Sequence, residues 1–192
     1  MPKSGERRKQ VEEMETKKVG EIMIPLDKYP HVYEHTTLRQ AIQEMDKYQN
    51  DRGGKKSLPR VILVFNRNED LVGVARRRDI LRGLEPEFLV SKPVSHQKSL
   101  FDVQCDPNLS EMSYGSLAKG IFERAKKPVC EVMMPAEVTI EYDDHITKAI
   151  NEMVDNNKSL LPVLKNGRVV GVVCSVDVFH EVAKLVLDSE EK

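Results

Sequence analysis

Apolar positions along this chain recur with two periods. Leu38, Ala41, Ile42 and Met45 stand at i, i+3, i+4 and i+7, one face of a helix, and Ile146, Ala149, Ile150 and Met153 repeat the spacing. Thr36 and Asp144, just upstream, carry oxygens able to accept from first-turn amides and are the expected caps. After each helix the pattern becomes β-branched. Pro162 to Lys165 and Arg168 to Val173, joined by Asn166-Gly167, predict a hairpin with positive φ at its turn. Val61 to Phe65 and Leu71 to Ala75, joined by the polar Asn66 to Asp70, predict the same hairpin with a longer turn. A further helix follows each, beginning near Asp79 to Leu81 and near Asp177, the second with Phe179, Val182, Ala183 and Val186 on one face.

The two sets are copies. Val19-Gly-Glu-Ile-Met-Ile-Pro25 reads against Val129-Cys-Glu-Val-Met-Met-Pro135, and both first helices keep a Glu before the Met, as Glu44 and Glu152. Self-similarity of this kind decides architecture before any single motif does. Each copy reads helix turn, strand, helix, strand, strand, helix. The organisation expected is a charged arm over 1–16, a repeat over 17–84, an insert over 85–128, a second repeat over 129–188 and a tail over 189–192. The arm alternates Lys or Arg with Glu, the pattern of a solvated face. The insert carries Pro86, Pro93 and Pro107 early and Leu117, Ile121, Phe122 and Ala125 late, which reads either as a partly helical segment packing on the module or a partner, or as an irregular loop.

Composition narrows the function. With 30 Lys and Arg against 31 Asp and Glu in 192 residues, the net charge of −1 creates no field favouring nucleic acid or membrane. Apolar runs such as Val61 to Phe65 fall far short of the roughly 20 residues a bilayer requires. Met1 to Lys9 are charged and lack the apolar core of a signal peptide, so a cytoplasmic address is expected. Cys105, Cys130 and Cys174 have no Cys-x-x-Cys spacing, and the five histidines form no His-x-x-x-His on a helix, so neither disulfides nor a metal site are expected. No nucleophile elbow, phosphate loop or zinc-protease motif occurs, and the chain is read as no enzyme. A sheet that stacks bases needs aromatics, whereas this chain has no Trp and only 5 Phe and 5 Tyr, outside any surface strand cluster.

The copies close on Gly73-Val-Ala-Arg76-Arg-Arg-Asp79 and Gly171-Val-Val-Cys174-Ser-Val-Asp177. Together with the repeated Met-x-Pro opening, this order of elements resembles a tandem cystathionine-β-synthase (CBS) domain pair, also called a Bateman module. The resemblance implies an α/β (α+β) fold of two β-α-β-β-α units in a pseudo-twofold pair, with two clefts for adenosine-containing ligands. It places the family's ribose-binding carboxylate at Asp79 and Asp177. Its Thr or Ser position falls on Arg76 and Cys174, with Ser175 one step later. Adenine recognition would use Ala136 to Thr139 with Leu161 to Val163, including Val138, Pro162 and Val163, and in the other half Tyr29 to Val32 with Arg60 to Ile62, including Val61. Physically, a carboxylate at a helix start can accept from both hydroxyls of a cis-diol.

Each residue also has a plainer reading. Both aspartates suit a first helical turn as caps, and Val61, Val138 and Val163 suit a core. Arg76, Arg77 and Arg78 oppose the helix dipole at about 0.3–1 kcal/mol each, which invites an anion such as a ligand phosphate, or else salt bridges to the insert. The function implied is a regulatory module sensing AMP, ADP, ATP or S-adenosylmethionine, with no catalytic cofactor, signalling to an effector protein and forming a homodimer through exposed positions such as Leu185 and Leu187. The alternative is a ligand-free CBS scaffold that serves as a protein-interaction module.

Overall fold

The computed structural model describes residues 17–48, 50–52, 55–57, 59–86 and 114–187; the charged arm, insert residues 87–113 with Cys105, and the tail lie outside the described residues. The first half runs from a helical turn α1 (Val19–Ile22) through β1 (Ile24–Pro25), a 3-10 turn (Leu26–Lys28), β2 (His31–Tyr33) and α2 (Leu38–Lys47). A short hairpin, β3 (Asn50–Arg52) and β4 (Lys55–Ser57), precedes β5 (Val61–Phe65), β6 (Leu71–Arg76) and α3 (Arg77–Leu84). The described part of the insert is helix α4 (Tyr114–Arg124), which packs on α3. The second half follows as a 3-10 turn (Val129–Glu131), β7 (Met134–Pro135), β8 (Ile140–Glu141), α5 (Ile146–Asp155), β9 (Leu160–Lys165), β10 (Arg168–Cys174) and α6 (Ser175–Leu187).

The helix stripes bury as their spacing predicts, with one exception. Leu38, Ala41 and Met45 sit in one core and Ile146, Ala149 and Met153 in another, but Ile42 lies on the flank of its stripe and is 40% exposed. The caps are one residue later than expected. Thr37 Oγ1 accepts from Gln40 N at 3.3 Å while Gln40 Oε1 accepts from Thr37 N at 3.1 Å, closing a reciprocal box. His145 Nδ1 accepts from Thr147 N at 3.3 Å. Asp144 instead closes the preceding turn, where its Oδ2 accepts from Glu141 N at 2.9 Å and from the Lys148 ammonium at 2.7 Å. Helices α3 and α6 likewise start two residues before Asp79 and Asp177, at Arg77 and Ser175.

Both hairpins form. Asn166 and Gly167 take φ of 54° and 75°, the left-handed pair that a two-residue turn demands. The sheets have strand orders β2-β5-β6-β7 and β1-β10-β9-β8, so each contains a strand from the opposite repeat. Strand β7 lies antiparallel to β6, Gly73 opposite Pro135, and β1 lies antiparallel to β10, Pro25 opposite Gly171. A side chain at either glycine would collide with the incoming backbone: a Cβ on Gly73 would stand 2.7 Å from Met134 O, and one on Gly171 would meet Ile24 O.

The exchange extends to the helices. Val19 N donates to Asp144 O at 2.9 Å and Val129 N to Thr36 O at 2.8 Å, a matched pair of cross-links. The orphan first-turn amide of Ile146 is satisfied by Lys17 O at 3.0 Å, and those of Leu38 and Arg39 by Lys127 O and Ala125 O at 2.8 and 3.0 Å. Accordingly Val19 is buried in the second unit's core with Ile140, Ile146 and Leu161, and Val129 in the first unit's core with Leu38, Ile62 and Ile80. A third cluster, Tyr29, Leu63, Phe65 and Val172, packs between the two sheets.

Candidate functional site: a basic cleft between the two units

The two antiparallel hairpins present the same local device at their mouths. Arg77 N donates to Arg60 O at 3.1 Å, and at the matching place Ser175 N donates to Ser159 O at 2.9 Å. Each bond pins a helix start to the beginning of a central strand. Beside the first of these mouths a cleft of about 760 Å³ opens between the units. One wall is Arg60, Val61, Val74 and Arg76 to Arg78 from the first repeat. The other is Met134 to Val138, Asn157 to Leu160, Pro162 and Ser175 from the second.

Of the residues that sequence reasoning nominated, Val61, Arg76, Arg78, Val138, Pro162 and Ser175 line this cleft, and Asp79, Cys174, Val163 and Asp177 are not among its lining. Val163 is fully buried in the second unit's core. Asp177 is half-buried in the first turn of α6, after the half-buried Cys174 and the exposed Ser175. The stretch Ala136 to Val138 therefore shares the cleft with the arginine signature of the first repeat, and from its own signature with Ser175 but not Asp177, because β7 crosses to the first unit's sheet. Arg60 and Glu137 lie inside the stretches the resemblance assigned to adenine, whereas Asn157, Lys158 and Ser159 were missed. Nothing in their spacing marks them, since the strand exchange alone brings them together.

Asp79 is 4% exposed and sits beneath the cleft, where Arg76 grips it. Its Oδ2 accepts from Arg76 N at 3.0 Å and Arg76 Nε at 2.6 Å, and its Oδ1 accepts from Arg76 Nη2 at 2.9 Å. Burial by itself would raise this carboxyl's pKa, but the side-chain and backbone hydrogen bonds from Arg76, with the charge of Arg78, hold it below the ordinary range. The same bonds push the guanidinium of Arg76 further up. Arg76 Nη2 also lies against Met134 Sδ, so the pair bridges the two walls. The remaining cations differ: Arg60, Arg77 and Arg78 are exposed, and Lys158 is half-buried, with its ammonium 4.0 Å from Glu137.

The second repeat's mouth is built differently. Six residues, Leu26 to His31, separate Pro25 from Val32, against four, Ala136 to Thr139, between Pro135 and Ile140. The longer connection makes the 3-10 turn and drives Tyr29 inward, 6% exposed, into the inter-sheet cluster that also holds Leu26, Leu160, Val172 and Cys174. Its hydroxyl donates to Val61 O at 2.9 Å, and burial first, then the nearby Cys174 thiol, pushes its pKa far above the usual phenol value. Tyr29 and Val61, both assigned to one adenine-binding half by the resemblance, thus bond to each other.

With this geometry in hand, comparison with known proteins is decisive. A family model described as the CBS domain matches residues 19–86 and 129–184. The chain belongs to the CBS-domain family. A search of curated proteins finds no match. Solved structures share the fold of this CBS pair: the CBS domain of a CBS-domain-containing membrane protein from Sphaerobacter thermophilus is 21% identical, with 92% of this chain and 94% of that one covered and a TM-score of 0.65. CBSX2, a CBS-pair protein of Arabidopsis thaliana, in complex with AMP is 18% identical over 88% of this chain and 98% of that one, TM-score 0.56. The CBS domain of a bacterial CNNM/CorC-family Mg2+ transporter in complex with ATP is 16% identical over 95% and 98%, TM-score 0.58. Among the described residues of this CBS pair, no helix is long and apolar enough to cross a membrane.

Proposed function

We propose that this CBS pair is a regulatory, non-catalytic module of the cytoplasm that binds an adenine nucleotide in the cleft between its units and passes the occupancy to an effector protein. The observation that carries this reading is the cleft itself. Its volume of about 760 Å³ lies within the roughly 300–1,000 Å³ typical of small-molecule sites. Val61, Leu160, Pro162 and Val138 offer apolar surface to a purine, and Arg60, Arg77, Arg78 and Lys158 offer charge to phosphate. The AMP and ATP complexes of structurally similar CBS domains support the choice of ligand. A ligand bridging walls from both repeats favours one relative orientation of the units, which is how binding would reach a partner.

Isothermal calorimetry with AMP, ADP, ATP and S-adenosylmethionine, with guanine nucleotides as controls, tests the proposal. Saturable binding of an adenosyl compound supports it. No heat from any of them would favour the scaffold reading, which draws on Tyr29 packed between the sheets beside Leu160 and Cys174 and on Arg76 occupying Asp79. A homodimer belongs to the same proposal: Leu81 on α3 and Phe179 and Leu187 on α6 are 66%, 71% and 66% exposed, apolar surface that a second copy would cover. Sedimentation showing a concentration-independent monomer would remove it.

A further inference from the structure

The basic cleft lies at the strand mouths; at the opposite end of the two hairpins, between their turns, we propose a second and chemically different site, which takes a small zwitterion with an apolar side chain, an apolar α-amino acid being the simplest. A groove of about 490 Å³ opens there, within the size range of small-molecule sites. Its floor is the end of the core cluster that packs between the sheets. Phe65 is buried, but Leu26, Leu71 and Val169, packed against that cluster, are only half-buried, so the apolar layer is left unsealed at the turns. Covering it would remove more apolar surface from water.

Charges on the rim select the occupant. The first repeat's turn contributes Glu69 and Asp70 to the groove, and the second repeat's turn contributes Arg168. All three are exposed. Among the described residues Glu69 and Arg168 make no ion pair, and Asp70 spends one oxygen, Oδ2, on Asn66 Nδ2 at 3.0 Å. Opposite charges on the two turns thus border one groove without neutralising each other. A ligand ammonium suits Glu69 or Asp70, a ligand carboxylate suits the fork of Arg168, and an apolar side chain covers the floor between them. Of the other polar lining, Tyr33, Asn68 and Thr139 can donate or accept but carry no charge, and His31 spends Nδ1 on Tyr29 O at 2.9 Å. With two carboxylates against one guanidinium the groove disfavours a polyphosphate, so it is no second copy of the basic cleft and does not depend on the nucleotide reading.

The chain has no Trp, so L-tryptophan reports its own binding to the full chain through fluorescence anisotropy. It should saturate in the micromolar to low-millimolar range, with L-leucine and L-phenylalanine competing. N-acetyl-L-tryptophan lacks the ammonium and L-tryptophanamide the carboxylate, and each should bind about 10-fold weaker or worse. ATP should not displace tryptophan. The variant Arg168→Gln, at an exposed turn position and checked for native circular dichroism, should weaken tryptophan about 10-fold and leave tryptophanamide unchanged, so that the two bind alike. No saturation up to about 10 mM would overturn the inference, as would blocked analogues that bind as tightly as tryptophan, or a folded Arg168→Gln with undiminished tryptophan affinity. Displacement by ATP would overturn it too, by placing tryptophan in the basic cleft. ATP binding without tryptophan binding removes this site alone, and tryptophan binding without any adenosyl compound sustains it while removing the nucleotide reading.

Discussion

Truncating Val19 should loosen the second unit, and truncating Val129 the first, although each valine lies at the start of the other repeat in sequence. Both side chains are fully buried. Val→Ala removes two methyl-sized groups, about 1.6 kcal/mol of transfer free energy at ~0.8 kcal/mol each. A residual cavity of some tens of Å³ adds roughly 1 kcal/mol if the surroundings do not collapse, so the total is about 1.5–3 kcal/mol. That is about 10- to 150-fold in the opening equilibrium of the affected core. Native-state hydrogen exchange read by mass spectrometry resolves it, because the two hairpins, 61–76 and 160–174, yield separate peptides. Val19→Ala should accelerate exchange by that factor in β9 and β10, whose Leu161, Val163 and Val173 share its cluster, and Val129→Ala should do so in β5 and β6. The opposite pattern would refute the exchange of opening segments. Equal acceleration of both hairpins by both variants would refute the idea that each core opens separately and make the inter-sheet cluster the unit of cooperativity.

Other consequences follow from the same contacts. Gly73→Ala and Gly171→Ala should each lower stability by about 1–3 kcal/mol in urea titrations, since the added Cβ meets a backbone carbonyl of the crossing strand, which cannot swing aside as the neighbouring Met133 and Met23 side chains can; neutral effects would mean the β1–β10 and β6–β7 pairings are dispensable. Tyr29→Phe should cost about 1–2 kcal/mol by leaving Val61 O without its donor, and should leave nucleotide stoichiometry unchanged. Asp79→Ala should cost about 1.5–3 kcal/mol at pH 7. Because the folded pKa of Asp79 lies below its unfolded value near 3.9, that contribution is complete above about pH 5 and fades as pH falls through the folded pKa. Melting curves of wild type and variant should therefore converge in acid; a gap that persists at pH 2 would assign the loss to packing instead of the ion pair.

The chain's own periodicity determined the elements and the family. Stripes at i, i+3, i+4 and i+7, an Asn-Gly turn between β-branched runs, and a repeated Met-x-Pro opening are local signals, and local sterics and burial make them legible. They placed α2, α5 and both hairpins, and they nominated the arginine run that borders the cleft. The caps of α2 and α5 were displaced by one residue because Thr37 and His145, next to the expected Thr36 and Asp144, win the first-turn amides. What only the tertiary structure decided was which residues meet. Strands β1 and β7 cross between repeats, so Ala136 to Val138 face Arg76 to Arg78, and Lys158 and Asn157 join them from another part of the chain. A two-residue difference in loop length, six against four, accompanies the burial of Tyr29 between the sheets, a contact the shorter loop of the second repeat has no residue to match. Whether Asp79 faces a ligand or an arginine three residues away depends on side-chain geometry at a helix start, and a sequence records the presence of both groups without recording that they have found each other.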